Sequence, residues 1–304
     1  MIKIVRRTLV TVLVLAAVAL TAFFGIRYRE RIYYSLTGRH TAAYEGLLTG
    51  PDSAGVSFIS CGNADSALIQ AGGSTVLIDA GDYDNVQKVM DYLEAQQILK
   101  IDYLILTHPH GDHYGAADDV IRKYPVDCVL ITHVPDHLRE DSAGWDYVLR
   151  TAEKFGAEIR NAEAGEILAL DKGEIRILWA GSDECEDINA CSIVCRYVYG
   201  ERAFLFTGDA EESTERRILA AGVELRSDVL KAGHHGSWDS CCKDFLASVR
   251  PSYVVASCSA DNRFGFPKET FQQRVKDAGA DLLVTYRNGT VEFVTDGKEL
   301  VLVY

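Results

Sequence analysis

The chain has 304 residues, of which 48% are hydrophobic and 25% charged. Those proportions exclude a disordered chain, a collagen and a multi-span membrane protein, and the length allows a sizeable core without disulfide or metal staples. Lys and Arg number 31 against 44 Asp and Glu, a net charge of −13, which argues against broad, sequence-independent wrapping of nucleic acid. A charged substrate held in one cleft stays open.

Lys3, Arg6 and Arg7 precede eighteen uncharged residues, Thr8–Gly25, and Arg27, Arg29, Glu30 and Arg31 follow. The block is at the short end of what spans a bilayer, and it also fits a secretory signal with a basic start. Its length favours an uncleaved anchor over a cleaved signal. We therefore expect residues 1–31 to be an anchor or signal segment, 32–55 a linker and 56–304 an exported folded domain. The eight cysteines form no CxxC pair, so a zinc ribbon is excluded. Most stand among apolar residues and read as buried thiols. Export permits a Cys185–Cys191 or Cys191–Cys195 bridge without specifying either.

From Val56 the pattern alternates short strands and helices. Strands are expected at 56–59, 67–70 and 75–78, the last two joined at Gly72-Gly73. Helical spacing over 85–97 leads to the continuous apolar run Tyr103–Leu106, which predicts a strand buried on both faces. A helix over 116–123, a strand over 128–132 and a helix over 145–155 follow. Strands at 166–169, 175–180, 193–199 and 203–207 then arrive with no helix between them. The remaining expectations are helices at 211–221, 241–247 and 268–278, with strands at 228–231, 253–256, 282–285 and 291–294. Asn288-Gly289 signals a hairpin turn before the last of these. The reading is one α/β domain with mixed sheets.

Three segments carry chemistry, each directly after an apolar strand. Thr107-His108-Pro109-His110-Gly111-Asp112-His113 packs four metal-capable side chains into six residues. Imidazole and carboxylate are the donors that zinc, manganese and iron take. One ion would use about three of them, so four point to two ions. The second segment is Leu205-Phe206-Thr207-Gly208-Asp209, whose carboxylate can bridge two ions. The third, Leu230-Lys231-Ala232-Gly233-His234-His235-Gly236-Ser237, puts two histidines in a glycine-rich turn. Strand ends are where open α/β folds place ligands.

With these motifs the chain resembles the metallo-β-lactamase fold superfamily, and within it the hydrolase domain of ComEC/Rec2-type competence proteins. The HxHxDH motif matches at His108, His110, Asp112 and His113, the first acidic motif at Asp79, the bridging aspartate at Asp209 and LKxxHHGS at Leu230–Ser237. Asn189 and Ser192 resemble the family's N-x-x-S segment, Asp65 the aspartate of its GQGDA opening, and NRFGFP from Asn262 to Pro267 its N-x-YGHP segment. The resemblance covers about residues 56–295 and implies a four-layer αβ/βα sandwich with metals at the sheet edge. It implies a hydrolase with two divalent ions, Zn²⁺ or Mn²⁺. Asp112, His113, Asp209 and His234 would hold one ion, with His234 preferred over His235 because it leaves the strand first. His108, His110 and Asp209 would hold the other. Asp112, His235 and Asn262 are the implied catalytic groups, with Asp79 supporting the ligand loop and Asp65, Asn189 and Ser237 near metal or substrate. Lys231 could counter substrate charge, and Arg263 could meet phosphate.

Two departures stand out. No histidine lies between His137 and His234, so the superfamily's third histidine for the His108/His110 ion is missing. Phe266 occupies the place of the histidine in YGHP. The expected activity is a phosphodiesterase or nuclease acting on a phosphodiester small molecule or a short nucleic acid. The N-terminal segment would be its contact with the membrane, and no stable protein partner is implied. The alternatives are hydrolysis of another ester, amide or thioester, and an inactive binding module.

Overall fold

A computed structural model describes residues 52–139 and 143–303. The expected anchor or signal over 1–31 and nearly all of the linker lie outside the described residues. No helix among the described residues is long and apolar enough to cross a membrane.

Two mixed sheets form the centre of the domain. β1 (Ala54–Phe58), β2 (Ala67–Ala71), β3 (Ser74–Ile78), β4 (Ile101–Leu106), β5 (Val126–Ile131) and β6 (Glu158–Asn161) share a sheet with β14 (Val291–Thr295) and β15 (Leu300–Val303). Its order is β15-β14-β1-β2-β3-β4-β5-β6. The second sheet contains β7 (Ile167–Ala169), β8 (Glu174–Trp179), β9 (Val194–Tyr199), β10 (Arg202–Phe206), β11 (Val229–Lys231), β12 (Tyr253–Ala256) and β13 (Asp281–Val284). Its order is β13-β12-β11-β10-β9-β8-β7. β3 to β6 run parallel in the first sheet, and β10 to β13 run parallel in the second.

The helices are α1 (Val86–Ala95), α2 (Gly111–Tyr114), α3 (Ala117–Lys123), α4 (Ala143–Lys154), α5 (Glu212–Ala221), α6 (Lys243–Val249), α7 (Glu269–Asp277) and α8 (Thr285–Asn288). Val89 and Leu93 of α1, Val120 of α3 and Val148 of α4 pack on Leu77, Leu104 and Leu106 of the first sheet. Ile218 of α5, Phe245 of α6 and Phe271 of α7 pack on Leu205, Leu230 and Val254 of the second. The opposite faces of both sheets meet in a shared core containing Ile69, Ile105, Ile177 and Phe206. Four layers result, helices outside and sheets inside. β4 shows the logic in one strand, because successive side chains alternate faces. Ile105 enters the inter-sheet core while Leu104 and Leu106 meet the helices, so the run must be apolar throughout. Phe58 stacks on Phe206 across the sheets at 5.6 Å and meets Phe293 edge-on at 6.2 Å. Each such buried ring contributes about 1.5–3 kcal/mol relative to exposure.

One expectation changes. Asn288-Gly289 is no hairpin turn, because β13 belongs to the second sheet and β14 to the first. The single turn α8 ends at Gly289, with φ of 77°, and carries the chain across between sheets. β6 and β15 were not among the expected strands; β6 carries a single apolar residue, Ile159, whereas β15 is an apolar run, Leu300–Val303, at the sheet edge. All eight cysteines are buried free thiols. Cys185 and Cys191 share one small apolar cluster with Ala190, and their thiols hydrogen-bond each other.

Glu215 of α5 is fully buried and accepts hydrogen bonds from the N–H groups of Cys241 at 2.5 Å and Cys242 at 2.8 Å, at the start of α6. Burial pushes its carboxyl up to about 7, against the pull of those two N–H groups. The folded carboxyl thus holds its proton more tightly than an unfolded one at 4.5. The stability this contributes is full below the unfolded value and is lost as pH rises through the folded one. Urea unfolding at about pH 5.5 and about pH 7.5 should show wild type losing on the order of 1–2 kcal/mol more than Glu215→Gln over that interval. Equal losses in the two proteins would contradict this account.

Candidate metal centre

The chemistry-bearing segments leave the C-terminal ends of β3, β4, β10 and β11, where the two sheets meet. Asp79 follows β3, and its N–H bonds the carbonyl of Ile105 at 2.8 Å. Thr107, after β4, donates both its N–H and its hydroxyl to the Asp79 carboxylate at 2.8 Å. The N–H of Ile193, next to β9, reaches the Thr107 carbonyl at 2.9 Å and ties the second sheet to the same loop. Gly208 follows β10 with φ of 50°, and a Cβ there would lie 3.0 Å from Ser192 and Thr107. Only glycine lets Asp209 come this close to the first sheet.

His113 is fully buried on α2. Its Nδ1 is 2.8 Å from Asp79 Oδ2, which fixes the ring and leaves Nε2 facing inward. There Nε2 lies 3.3 Å from Asp209 Oδ1. Both atoms are buried without a hydrogen-bond partner, an arrangement that native interiors rarely leave unexplained. His235 Nε2 closes the same space, 3.2 Å from Asp112 Oδ2 and 3.7 Å from Asp209 Oδ2. The Nδ1 of His235 faces the Ser257 carbonyl at 2.9 Å, which fixes the ring with Nε2 turned inward as ligating histidines commonly are. On the other side of Asp209, His108 Nε2 and His110 Nδ1 are 3.0 Å apart, and His108 Nε2 is 3.9 Å from Asp209 Oδ2. His108 Nδ1 is occupied instead by Thr107 Oγ1 at 3.2 Å and Ser192 Oγ at 3.3 Å. Ser192 Oγ also accepts the Asp209 N–H at 3.0 Å.

Two donor sets therefore share one carboxylate. His108, His110 and Asp209 form the first, and Asp65, His113, Asp209 and His235 the second, with Asp112 reaching the second through His235. The orphaned nitrogen and oxygen, the fixed Nδ1 atoms and the mixture of imidazole with carboxylate fit divalent ions of the zinc type. The charges are already set for it. Burial holds His108 well below the usual histidine range, so its ring is neutral and its lone pair free. Burial acts the same way on His113, but Asp209 and Asp79 override it and raise that ring well above. Asp209 stays far below the ordinary carboxylate range despite burial, because His113 and His235 face it. The carboxylates that raise the proton affinity of His113 are the same groups that would hold an ion in the proton's place.

The paired histidines part company. Both adopt left-handed backbone, with φ of 43° at His234 and 54° at His235. Such geometry costs about 1–2 kcal/mol per residue and persists only where neighbours enforce it. Here the His234 N–H bonds the Gly208 carbonyl at 3.3 Å and the Lys268 N–H bonds that of Gly236 at 2.9 Å. His235 is thereby driven inward, while His234 turns to the rim and pairs its Nδ1 with Glu211 Oε1 at 2.8 Å. His234 Nε2 is still 3.9 Å from Asp209 Oδ2. The preference for His234 over His235 is thus reversed by geometry, since His235 is the ring facing Asp112 and Asp209. The signal was absent from the sequence because order along the strand does not reveal a left-handed turn.

Other expected groups are committed elsewhere. Asn262 spends its amide inside its own loop, donating to the carbonyls of Ser259 at 2.7 Å and Phe266 at 2.8 Å and accepting the Phe266 N–H at 2.7 Å. It shapes the loop and is not presented to a substrate. The Ser237 hydroxyl donates to Asp239 at 2.6 Å instead of facing outward. Lys231 is 4% exposed, ion-paired with Asp65, and donates to the Ala232 carbonyl at 2.6 Å. It cannot counter substrate charge. Asp65 joins the second donor set at the Nδ1 edge of His235, 3.6 Å away. Asn189 donates to Glu211 at 3.3 Å and sits 3.4 Å from His234 Nδ1, while its Oδ1 is buried without a partner. A cavity of about 660 Å³ opens beside His110, lined also by Pro109, Tyr114, His133, Trp145 and Asn161. Its walls come from the ligand loop and α2, the end of β5 and the segment after it, α4 and the end of β6.

Paired histidine and carboxylate sets at the strand ends of a four-layer sandwich define a metal-dependent hydrolase fold. The Metallo-beta-lactamase superfamily profile matches residues 59–259, and the chain belongs to that superfamily. It is 27% identical to ComE operon protein 3 of Bacillus subtilis over 205 residues, 67% of this chain and 26% of that protein. It is 28% identical to Competence protein ComA of Neisseria gonorrhoeae over 293 residues, 94% of this chain and 38% of that one. The chain therefore spans well under half the length of these relatives. Among solved structures, the metallo-beta-lactamase fold protein YhfI from Bacillus subtilis covers 79% of this chain and 99% of its own, with a TM-score of 0.54 and 12% identity. Igni18, a metallo hydrolase from Ignicoccus hospitalis, covers 79% and 98%, with a TM-score of 0.51 and 18% identity. These likenesses concern the fold.

Ser192 touches both Asp209 and His108 without offering itself as a ligand. Ser192→Ala should weaken zinc binding by about 10- to 100-fold while leaving the fold intact, as read by chelator competition beside circular dichroism. Removing one partner of the buried Lys231–Asp65 pair should cost about 3–5 kcal/mol in urea unfolding of Lys231→Met. Adding Asp65→Asn should recover part of that loss, and a double variant no better than Lys231→Met would show that the pair's charge is not the cause.

Proposed function

We propose that the chain is a metal-dependent phosphodiesterase or nuclease working outside the cytoplasm, with residues 1–31 holding it at the membrane. The observation that carries this reading is the Asp209 carboxylate, with one oxygen 3.3 Å from His113 and the other 3.7 Å from His235 and 3.9 Å from His108. A carboxylate so placed is a bridge between two donor sets. Two divalent ions there, zinc or manganese, would supply a water ionised near neutral pH and charge to oppose that developing on phosphoryl oxygen.

The chain's own residues do the rest. Asp79 and the Ser257 carbonyl hold His113 and His235 in register. Thr107 and Ser192 hold His108, and Ser192 also fixes Asp209. The cavity beside His110 gives the organic part of a substrate room on one side, within the range of small-ligand sites. His234 and Glu211 stand at the rim. The choice of a phosphodiester rests on the likeness to the competence proteins and on the HHGS turn. The acidic surface suits a small phosphodiester or a short nucleic acid better than long duplex DNA.

The test is elemental analysis of the purified full chain together with cleavage of bis(p-nitrophenyl) phosphate and of nitrocefin, beside a His108→Ala/Asp209→Ala double variant. Two metals per chain and phosphodiester cleavage lost at least about 100-fold in the variant are expected. Cleavage of nitrocefin alone would move the activity to carbon centres. No metal and no turnover after added Zn²⁺ or Mn²⁺ would sink the hydrolase reading.

A further inference from the structure

The loop from Asn262 to Lys268 is held against the histidine turn. The Lys268 N–H bonds the Gly236 carbonyl at 2.9 Å, and a Cβ at Gly236 would meet Pro267 at 2.8 Å. Phe266, in the place where the related segment carries histidine, lies over His235 with its ring centre 6.1 Å away and its plane tilted by 29°. Phe264 stacks on Phe266 in turn, at 5.4 Å and 17°. The three rings make a staircase that starts at the second donor set and ends at a ring 46% exposed. Two cations border it. Arg263 lies 4.8 Å from the Phe264 ring centre and Lys268 Nζ 5.6 Å from that of Phe266. Among the described residues neither makes an ion pair. Trp238, 65% exposed, leaves the histidine turn two residues after Gly236.

An apolar ring so exposed beside buried ligands contributes little to folding. Asn262, which spends its whole amide on the loop, keeps the ring presented. Stacked aromatics edged by cations, next to a site for a phosphodiester, form the platform on which unpaired bases stack. We propose that Phe264, backed by the buried Phe266 and with Arg263 beside its ring, forms a base-stacking subsite. The substrate is then a phosphodiester carrying an unpaired nucleobase. This rests on the phosphodiesterase reading and narrows it. A polyol phosphodiester has no π face to stack, and a duplex keeps its bases paired and out of reach.

Binding is measured by calorimetry on the full chain kept metal-free in EDTA, so its outcome does not depend on turnover. The ligands are a thymidine tetranucleotide and an abasic tetramer with the same backbone. The thymidine ligand is expected to bind at least about ten-fold more tightly. Phe264→Ala should shrink that ratio towards one, and Phe264→Trp, which keeps a stacking face and controls for loss of fold, should preserve it. Equal binding of the two ligands, no binding of either, or a ratio unmoved in Phe264→Ala would each overturn the subsite. A ratio that behaves as expected in a chain that cleaves no phosphodiester would keep the subsite and discard the enzyme.

Discussion

A carboxylate 2% exposed at the seam of two sheets must find opposing charge, and the rest of this site is arranged around that requirement. Asp209 finds it in imidazoles, not in the nearby lysine. Lys231 is equally buried but is drawn off by Asp65, so the ring nitrogens of His113, His235 and His108 are what Asp209 sees. Imidazole is the one partner that can offset a carboxylate as a cation and then yield its proton to a metal ion.

Holding such a cluster needs a stiff frame, and the fold supplies one through contacts that cross the seam. Thr107 binds Asp79 on one side, and its carbonyl takes the N–H of Ile193 on the other. Ser192 then reaches both His108 and Asp209. The left-handed pair His234–His235 is the strained part, placed where a regular turn would point both rings the same way. That strain separates two adjacent histidines into different roles, one facing the carboxylates and one at the rim with Glu211. The loop bearing Phe264 braces this turn, so the outer surface and the ligand set are mechanically linked.

Much of the architecture was legible before any coordinates. β4 was readable because a strand covered on both faces must be apolar at every position. The three ligand segments were readable because each is contiguous and follows such a strand. β6 was not, since an edge strand needs no fully apolar face and this one has a single apolar residue. The Asn288-Gly289 turn misled because the same dipeptide closes a hairpin or ends a helical turn, and only strand pairing distinguishes them.

The sequence by itself determined the superfamily and the strand–loop positions of the candidate ligands, because these depend on residue type and local spacing. Tertiary structure alone decided which of those groups are free to act. Asn262 and Ser237 have the right chemistry, yet the folded loops turn them onto partners within four residues, and Lys231 is taken by the distant Asp65. His235 displaced His234 for a comparable reason, since φ at two residues, enforced by Gly208 and Lys268, sets where a ring points. A side chain's type is local information, but its unspent valence is a property of everything packed around it.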